Sequence, residues 1–378
     1  MKVNKKKLLE EKYQFKTNYI ENFYSFKKNI LEKKIIPYQV EFQAPPKGKK
    51  ICWLECPYCY GLSAEDTKER LDKKRGIEIL EQILKGGVKK IIFAGYATDP
   101  LNCSYIEDLL DLTISKKAIF GFNTKALRIS DRFFSILKEN AIVDGSYISL
   151  SVDSGSNETY NKIHNVKGSS KLYDKVLDNV KNLGQIRNQK NFDLSAAYLV
   201  NIHSGNTYDC EKFINDFIDA GCNLLRFTFP QQPKDIKTDK GVIPSQKDIV
   251  SYKKELEKLK NKYENPNCSI LVIDADSKNN IFNKARTIPC YARYVFPTVG
   301  FDGWLCNCSQ SSAPNFRSSA LGDLNKSDFW DLFYKYDNKN MEKFLLKCNK
   351  EISQSGCRCD RKEHLVNSAV IESKIFNL

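Results

Sequence analysis

No apolar run in this chain of 378 residues reaches the roughly 18 residues that a membrane-spanning helix needs. The Lys-rich N-terminus also lacks the apolar core of a secretory signal. Arginine is sparse beside lysine, and the lysines are scattered. The formal charge of +14 therefore reads as the bias of a Lys/Asn-rich proteome and argues against nucleic acid as a partner. The excess is densest at the start, where the first fifty residues hold 13 Lys against 5 Glu. What is abundant is cysteine, with 13 residues. Thiols without an export signal point to a reducing, cytoplasmic setting and to metal binding, and away from a disulfide scaffold. A hydrophobic content of 41% with 12% aromatics supports a real core, enough for one large domain and a smaller one.

Three of the thiols fall in one short stretch, Cys52-Trp-Leu-Glu-Cys56-Pro-Tyr-Cys59. A loop with that spacing can turn all three sulfurs toward one point. Three is one thiolate short of a closed tetrahedral site. A 4Fe–4S cluster held this way keeps one iron for a ligand that is not protein. A structural zinc loop or three buried thiols are the other readings. Zinc would need a fourth ligand nearby, and neither Cys nor His follows until Cys103.

Residues 4–34 carry apolar side chains at three- and four-residue spacing, from Leu8 and Leu9 to Ile30 and Leu31, and read as a helical extension. From Tyr38 the pattern becomes strand, helix, strand, helix. Strands are expected at 38–42, 89–94, 118–122, 147–152, 193–200 and 223–229, with helices at 65–84, 105–113, 131–140, 172–183 and 208–220. Such units imply a parallel sheet with right-handed crossovers. Chemistry in parallel sheets gathers past the C-terminal strand ends. Residues 231–242 read as a loop, 248–263 as a charged helix and 269–273 as a strand that closes the sheet or bridges onward.

C-x3-C-x2-C with Tyr58 before the last Cys resembles the signature of the radical S-adenosylmethionine (radical SAM) enzymes. The resemblance implies a partial (β/α)6 barrel over 36–240, within an α/β chain that has an N-terminal helical extension at 1–35 and a bridge at 241–285. It implies that Cys52, Cys56 and Cys59 hold a 4Fe–4S cluster whose open iron takes SAM. Gly95 and Asp99, in Gly95-Tyr-Ala-Thr-Asp99-Pro100, stand where the family holds the SAM amino group, although the spacing departs from the family motif. Asn123 and Ser151 stand near the nucleoside, and Leu199 covers the adenine. Many relatives place an Arg about a dozen residues after that Ser. Here Lys162 and His164 occupy the region, and His164 reads first as a helix-surface side chain.

Six more thiols follow residue 289: Cys290, Cys306, Cys308, Cys348, Cys357 and Cys359. Val295–Leu305 reads as a hairpin with an Asp302-Gly303 turn, then Leu321-Gly-Asp-Leu324 precedes a short helix at 326–332. This order resembles the SPASM and twitch extensions of radical SAM enzymes. The resemblance implies a small Cys-rich domain over 286–365, with a tail at 366–378, and one auxiliary 4Fe–4S cluster drawn from Cys290, Cys308, Cys348, Cys357 and Cys359. Cys306 is the first to be set aside. A zinc ribbon or free thiols is the alternative.

The expected activity is reductive cleavage of SAM to a 5′-deoxyadenosyl radical, which takes hydrogen from a substrate C–H, with flavodoxin or ferredoxin as electron donor. The N-terminal extension is too short for a separate peptide-recognition domain, which leans toward a sugar- or aminoglycoside-type small molecule. A peptide or protein maturase is the alternative, and a non-enzymatic zinc- or cluster-binding protein is the reading from another class.

Overall fold

A computed structural model describes residues 19–46, 52, 54–59, 69–96, 98–201, 207–229, 244–273, 290–335 and 361–375. The expected stripe before residue 19, the loop at 231–242 and Cys348, Cys357 and Cys359 lie outside the described residues. In chain order the strands are β1 (Val40–Gln43), β2 (Lys90–Ala94), β3 (Ile119–Thr124), β4 (Tyr147–Ser151), β5 (Asp193–Leu199), β6 (Leu224–Thr228), β7 (Ser269–Ile273), β8 (Thr298–Val299), β9 (Trp304–Cys306) and β10 (Gly322–Asp323). The helices are α1 (Phe23–Leu31), α2 (Lys73–Lys85), α3 (Ile106–Ser115), α4 (Asp131–Glu139), α5 (Asn157–Ile163), α6 (Leu172–Arg187), α7 (Thr207–Asp219), α8 (Gln246–Tyr263), α9 (Phe329–Phe333) and α10 (Arg361–Glu372). Among the described residues no helix is long and apolar enough to cross a membrane.

The chain divides into two compact units. The first holds Cys52–Cys59 and residues 121–273; the second holds 19–46, 69–120 and 290–375. In the first unit β4, β5, β6 and β7 join β3 through four parallel pairings. Strand β7, which the sequence leaves open, lies beside β6. Residue alternation sorts the two faces of this sheet. Tyr198 and Phe227 meet Phe213 of α7 at ring distances of 5.2 and 5.7 Å. That face is therefore the helix-covered one. The opposite face carries Ser149, Ser195, Ala197, Leu199, Leu224, Arg226 and Thr228. Close packing behind the sheet also explains Gly184: a Cβ there would lie 2.0 Å from the Ala220 carbonyl oxygen.

In the second unit β1 pairs in parallel with β2 on one side and β8 on the other. Strand β8 turns back into β9 and β9 into β10, both antiparallel. The expected hairpin thus extends the β1 sheet. Gly303 takes the turn at φ 87°, a conformation that favours glycine.

Two helix starts differ from the sequence expectation. Helix α2 begins at Lys73, after the non-helical residues 69–72, because Asp72 caps it by accepting from the Arg75 N–H at 3.0 Å. Helix α1 begins at Phe23, where Asn22 accepts from the Ser25 N–H at 2.9 Å. An Asp or Asn cap satisfies an otherwise orphaned amide, and here that local bond outweighs the longer apolar stripe.

Candidate functional site

Cysteine loop and strand ends meet in the first unit. The loop turns tightly, with the Cys59 N–H donating to the Cys56 carbonyl at 2.9 Å. Cys56 is buried, whereas Cys52 and Cys59 are half-buried. The Glu55 N–H donates to the His164 carbonyl at 3.2 Å, and Asn165 donates to the Glu55 carboxylate at 3.2 Å. The Tyr58 hydroxyl donates to Asp153 at 2.8 Å. Backbone, amide and phenol thus dock the loop onto the C-terminal ends of β4 and α5.

Asp153 is the hub. It sits just past β4 at φ 64°, a left-handed conformation that costs an Asp of order 1 kcal/mol. One carboxylate oxygen takes the Tyr58 hydroxyl, while the other accepts from the Leu199 N–H at 3.0 Å. Lys125, at the end of β3, donates to the Ser151 carbonyl at 3.1 Å and to His164 Nε2 at 2.8 Å, and lies 3.4 Å from the Asp153 carboxylate. Burial is the largest single influence and works against the Lys125 charge, but Asp153, Cys56 and Tyr160 together outweigh it and hold the ammonium above its usual range.

His164 is a correction. It is fully buried, not on a helix surface, because Tyr160 one turn earlier packs its ring 4.1 Å away. His164 Nδ1 lies 2.8 Å from the Tyr160 carbonyl. A carbonyl only accepts, so Nδ1 carries the proton and Nε2 accepts from Lys125. Burial first, and then the Lys125 charge, push His164 well below its ordinary value. It is a neutral acceptor at neutral pH.

The Cys56 thiol is pushed up to about 12 by burial, with Lys125 opposing and the neighbouring Cys59, Asp153 and Cys52 charges adding to the rise. A buried thiol becomes a ligand only where positive charge compensates the thiolate. Among the described residues no three His, Cys, Asp or Glu side chains stand close enough together to hold a metal ion. The fit to an iron–sulfur cluster rests on donor chemistry: three soft thiols within eight residues, with the half-buried Lys125 ammonium within electrostatic reach of the middle one.

Other expected residues fall as follows. Ser151 accepts from Lys125 through its carbonyl, and Leu199 donates to Asp153 through its N–H. Asn123 pairs in register with Ser149, on the sheet face away from the helices. Gly95 and Asp99 belong to the second unit. A Cβ on Gly95 would lie 2.1 Å from the Thr98 carbonyl oxygen, so glycine is required there for the turn itself. Asp99 caps the next turn, accepting from the Leu101 N–H at 2.9 Å. Cys290, Cys306 and Cys308 are buried in the same unit. Cys308 Sγ lies 3.7 Å from Ser311 Oγ, while Arg317 donates to Cys306 Sγ at 3.4 Å and to Asp302. Burial pushes the Cys306 thiol up to about 12, with Arg317 opposing.

Lys125 is the residue that sequence reasoning missed. Its signal was position alone: a lysine directly after a strand that ends at the reactive side of a parallel sheet.

Residues 49–217 match the family model described as Radical SAM superfamily. No curated protein matches. Among solved structures, SuiB of Streptococcus suis aligns with TM-score 0.59 at 15% identity, over 81% of this chain and 68% of that one. SuiB bound to its precursor peptide SuiA gives 0.59 and 14%, over 84% and 70%. Native anSMEcpe with bound AdoMet and the Cp18Cys peptide gives 0.54 and 17%, over 85% and 89%. What these share with the chain is the fold.

Proposed function

We propose, from the premise that this chain is a radical SAM superfamily enzyme, that it modifies a peptide or protein side chain by removing hydrogen from a C–H bond. From the sequence alone a small molecule is preferred. The fold likeness to SuiB, solved with precursor peptide SuiA, and to anSMEcpe, solved with a peptide, supports the peptide instead. When bound, a 4Fe–4S cluster and SAM supply a 5′-deoxyadenosyl radical able to attack an unactivated C–H.

The chain's own residues then have distinct tasks. Cys52, Cys56 and Cys59 would hold the cluster. Lys125 offsets thiolate charge and offers the cation that a SAM carboxylate needs, in the place of the Arg that the sequence lacks. Asp153 fixes both Lys125 and Tyr58, and His164 keeps the ammonium aimed by accepting from it. Leu199 would cover the adenine. Cys290 and Cys308 would contribute to an auxiliary cluster with thiols from Cys348, Cys357 and Cys359. The electron would come from a flavodoxin- or ferredoxin-type donor.

The observation that carries this reading is the Tyr58–Asp153–Lys125–His164 network behind the cysteine loop, with Asp153 and His164 buried and Tyr58 and Lys125 half-buried. The test is anaerobic reconstitution with iron and sulfide, then reduction with SAM and a library of deuterated peptides. Deuterium in 5′-deoxyadenosine is expected. A cluster-loaded protein that releases no 5′-deoxyadenosine overturns the radical assignment; release without peptide labelling overturns the substrate class.

A further inference from the structure

We infer that the lobe joining α5 to α6 is the docking surface for an acidic one-electron carrier protein that reduces the cluster. This rests on the cluster-bearing reading above and names where its electron enters.

The lobe is a closed loop within the first unit. Asn161 clasps it. The Asn161 amide donates to the Ser170 carbonyl at 2.9 Å, and its amide oxygen accepts from the Ser170 hydroxyl at 2.9 Å. The Asn161 carbonyl also accepts from the Val166 N–H at 2.8 Å. The clasp returns the chain at Lys171 to the side of the chain at Lys162. A Cβ on Gly168 would meet nothing within 4 Å, so the tip faces open space.

Lys162, Lys167 and Lys171 are exposed on this lobe, and residues 159–173 hold no Asp or Glu. Among the described residues these three ammoniums form no ion pair, not even with Glu158, one helical turn before Lys162. Lysines elsewhere on the unit are paired: Lys212 with Asp216, Lys258 with Glu255 and Lys262 with Glu211. Like charges held together on one closed loop set up a positive field, and such a field steers an acidic partner to its place.

Position then selects the partner. Asn165, at the near end of the lobe, donates to the Glu55 carboxylate, and the His164 carbonyl takes the Glu55 N–H. Glu55 is exposed and stands between Cys52 and Cys56. A protein seated on the lobe therefore lies against the cysteine loop. A nucleic acid would gain from the charge but has no use for that adjacency, whereas an electron does. The carrier loses one electron and the cluster gains it; no bond forms or breaks.

The experiment uses the cluster-loaded protein and reduced flavodoxin as the acidic carrier. Binding is measured by calorimetry, and cluster reduction by the bleaching of its visible absorbance in stopped flow. Wild type is compared with Lys162→Glu/Lys167→Glu/Lys171→Glu and with a control of equal charge change on exposed lysines of other elements, Lys116→Glu/Lys138→Glu/Lys254→Glu. The lobe variant should lose about tenfold or more in flavodoxin affinity and reduction rate, with the control losing far less. Raising the salt should slow wild type and leave the lobe variant nearly unchanged. Reduction by dithionite, which needs no docking, should be equal in all three, which separates docking from folding. If the lobe variant binds and is reduced like wild type, or the control loses as much, the inference is overturned. Tighter binding of a short RNA than of flavodoxin, lost in the lobe variant, overturns the carrier assignment. Release of 5′-deoxyadenosine with dithionite reports on the radical assignment independently, and a protein that takes up no cluster overturns both.

Discussion

Two cysteine-bearing regions of this molecule meet the same difficulty in different ways. In both, burial pushes a thiol up to about 12, at Cys56 and at Cys306. In both, a cation opposes the push. At Cys56 the cation is Lys125, shared among Asp153, His164 and a backbone carbonyl. At Cys306 it is Arg317, which also pairs with Asp302. The loop around Cys56 keeps two half-buried thiols beside it, whereas Cys290, Cys306 and Cys308 are all buried. A thiol site that must admit a ligand keeps an open side and a cation with several holds. The thiol sealed at the end of β9 has a cation held by one carboxylate and by the Ser312 carbonyl at 2.9 Å.

The sharpest way to break this comparison is to remove the two thiols in turn. Cys56→Ala should reduce 5′-deoxyadenosine formation below detection, while Cys306→Ala should retain it. Equal losses would mean that the regions are not functionally distinct. Next in size is Arg317→Met. It strands Asp302, only 1% exposed, and should cost about 3 kcal/mol in chemical denaturation. Lys125→Met should cost less, about 2 kcal/mol, because Asp153 keeps Tyr58 and the Leu199 amide. That variant should lose SAM cleavage beyond what its stability explains; Arg317→Met should not.

The smallest effect separates the networks by pH. His164 is held well below its ordinary value by burial and by Lys125. As pH falls, the unfolded chain therefore binds the proton first. Folding stability is full above about pH 6.5 and declines below it, by about 1 kcal/mol down to pH 5.5. His164→Phe should flatten that slope. A slope unchanged by the substitution would assign it to other groups.

How much of this was legible beforehand follows from the range of the forces involved. Strand and helix alternation is local, and the six expected βα strands appear within a few residues of their expected bounds. The cysteine spacing is local too. Caps are local as well, and the Asp72 cap was available but hidden beneath an apolar pattern that continued before it. Lys125, Asp153 and His164 come together only when the ends of β3, β4 and α5 are placed side by side. His164 looked like a surface residue because its stacking partner, Tyr160, is visible at four-residue spacing but the surrounding packing is not. Arg226 was equally plain in the sequence, yet only strand register reveals which face it shares with Ser149 and Ser195.

His164 also has two handles. Its main-chain oxygen grips the Glu55 amide and its ring grips the Lys125 ammonium. Any push on that ammonium by an arriving anion is therefore relayed, through a single rigid residue, to the backbone between the first two thiols. Loop and lysine thus share one anchor, so losing the His164 ring should disturb both.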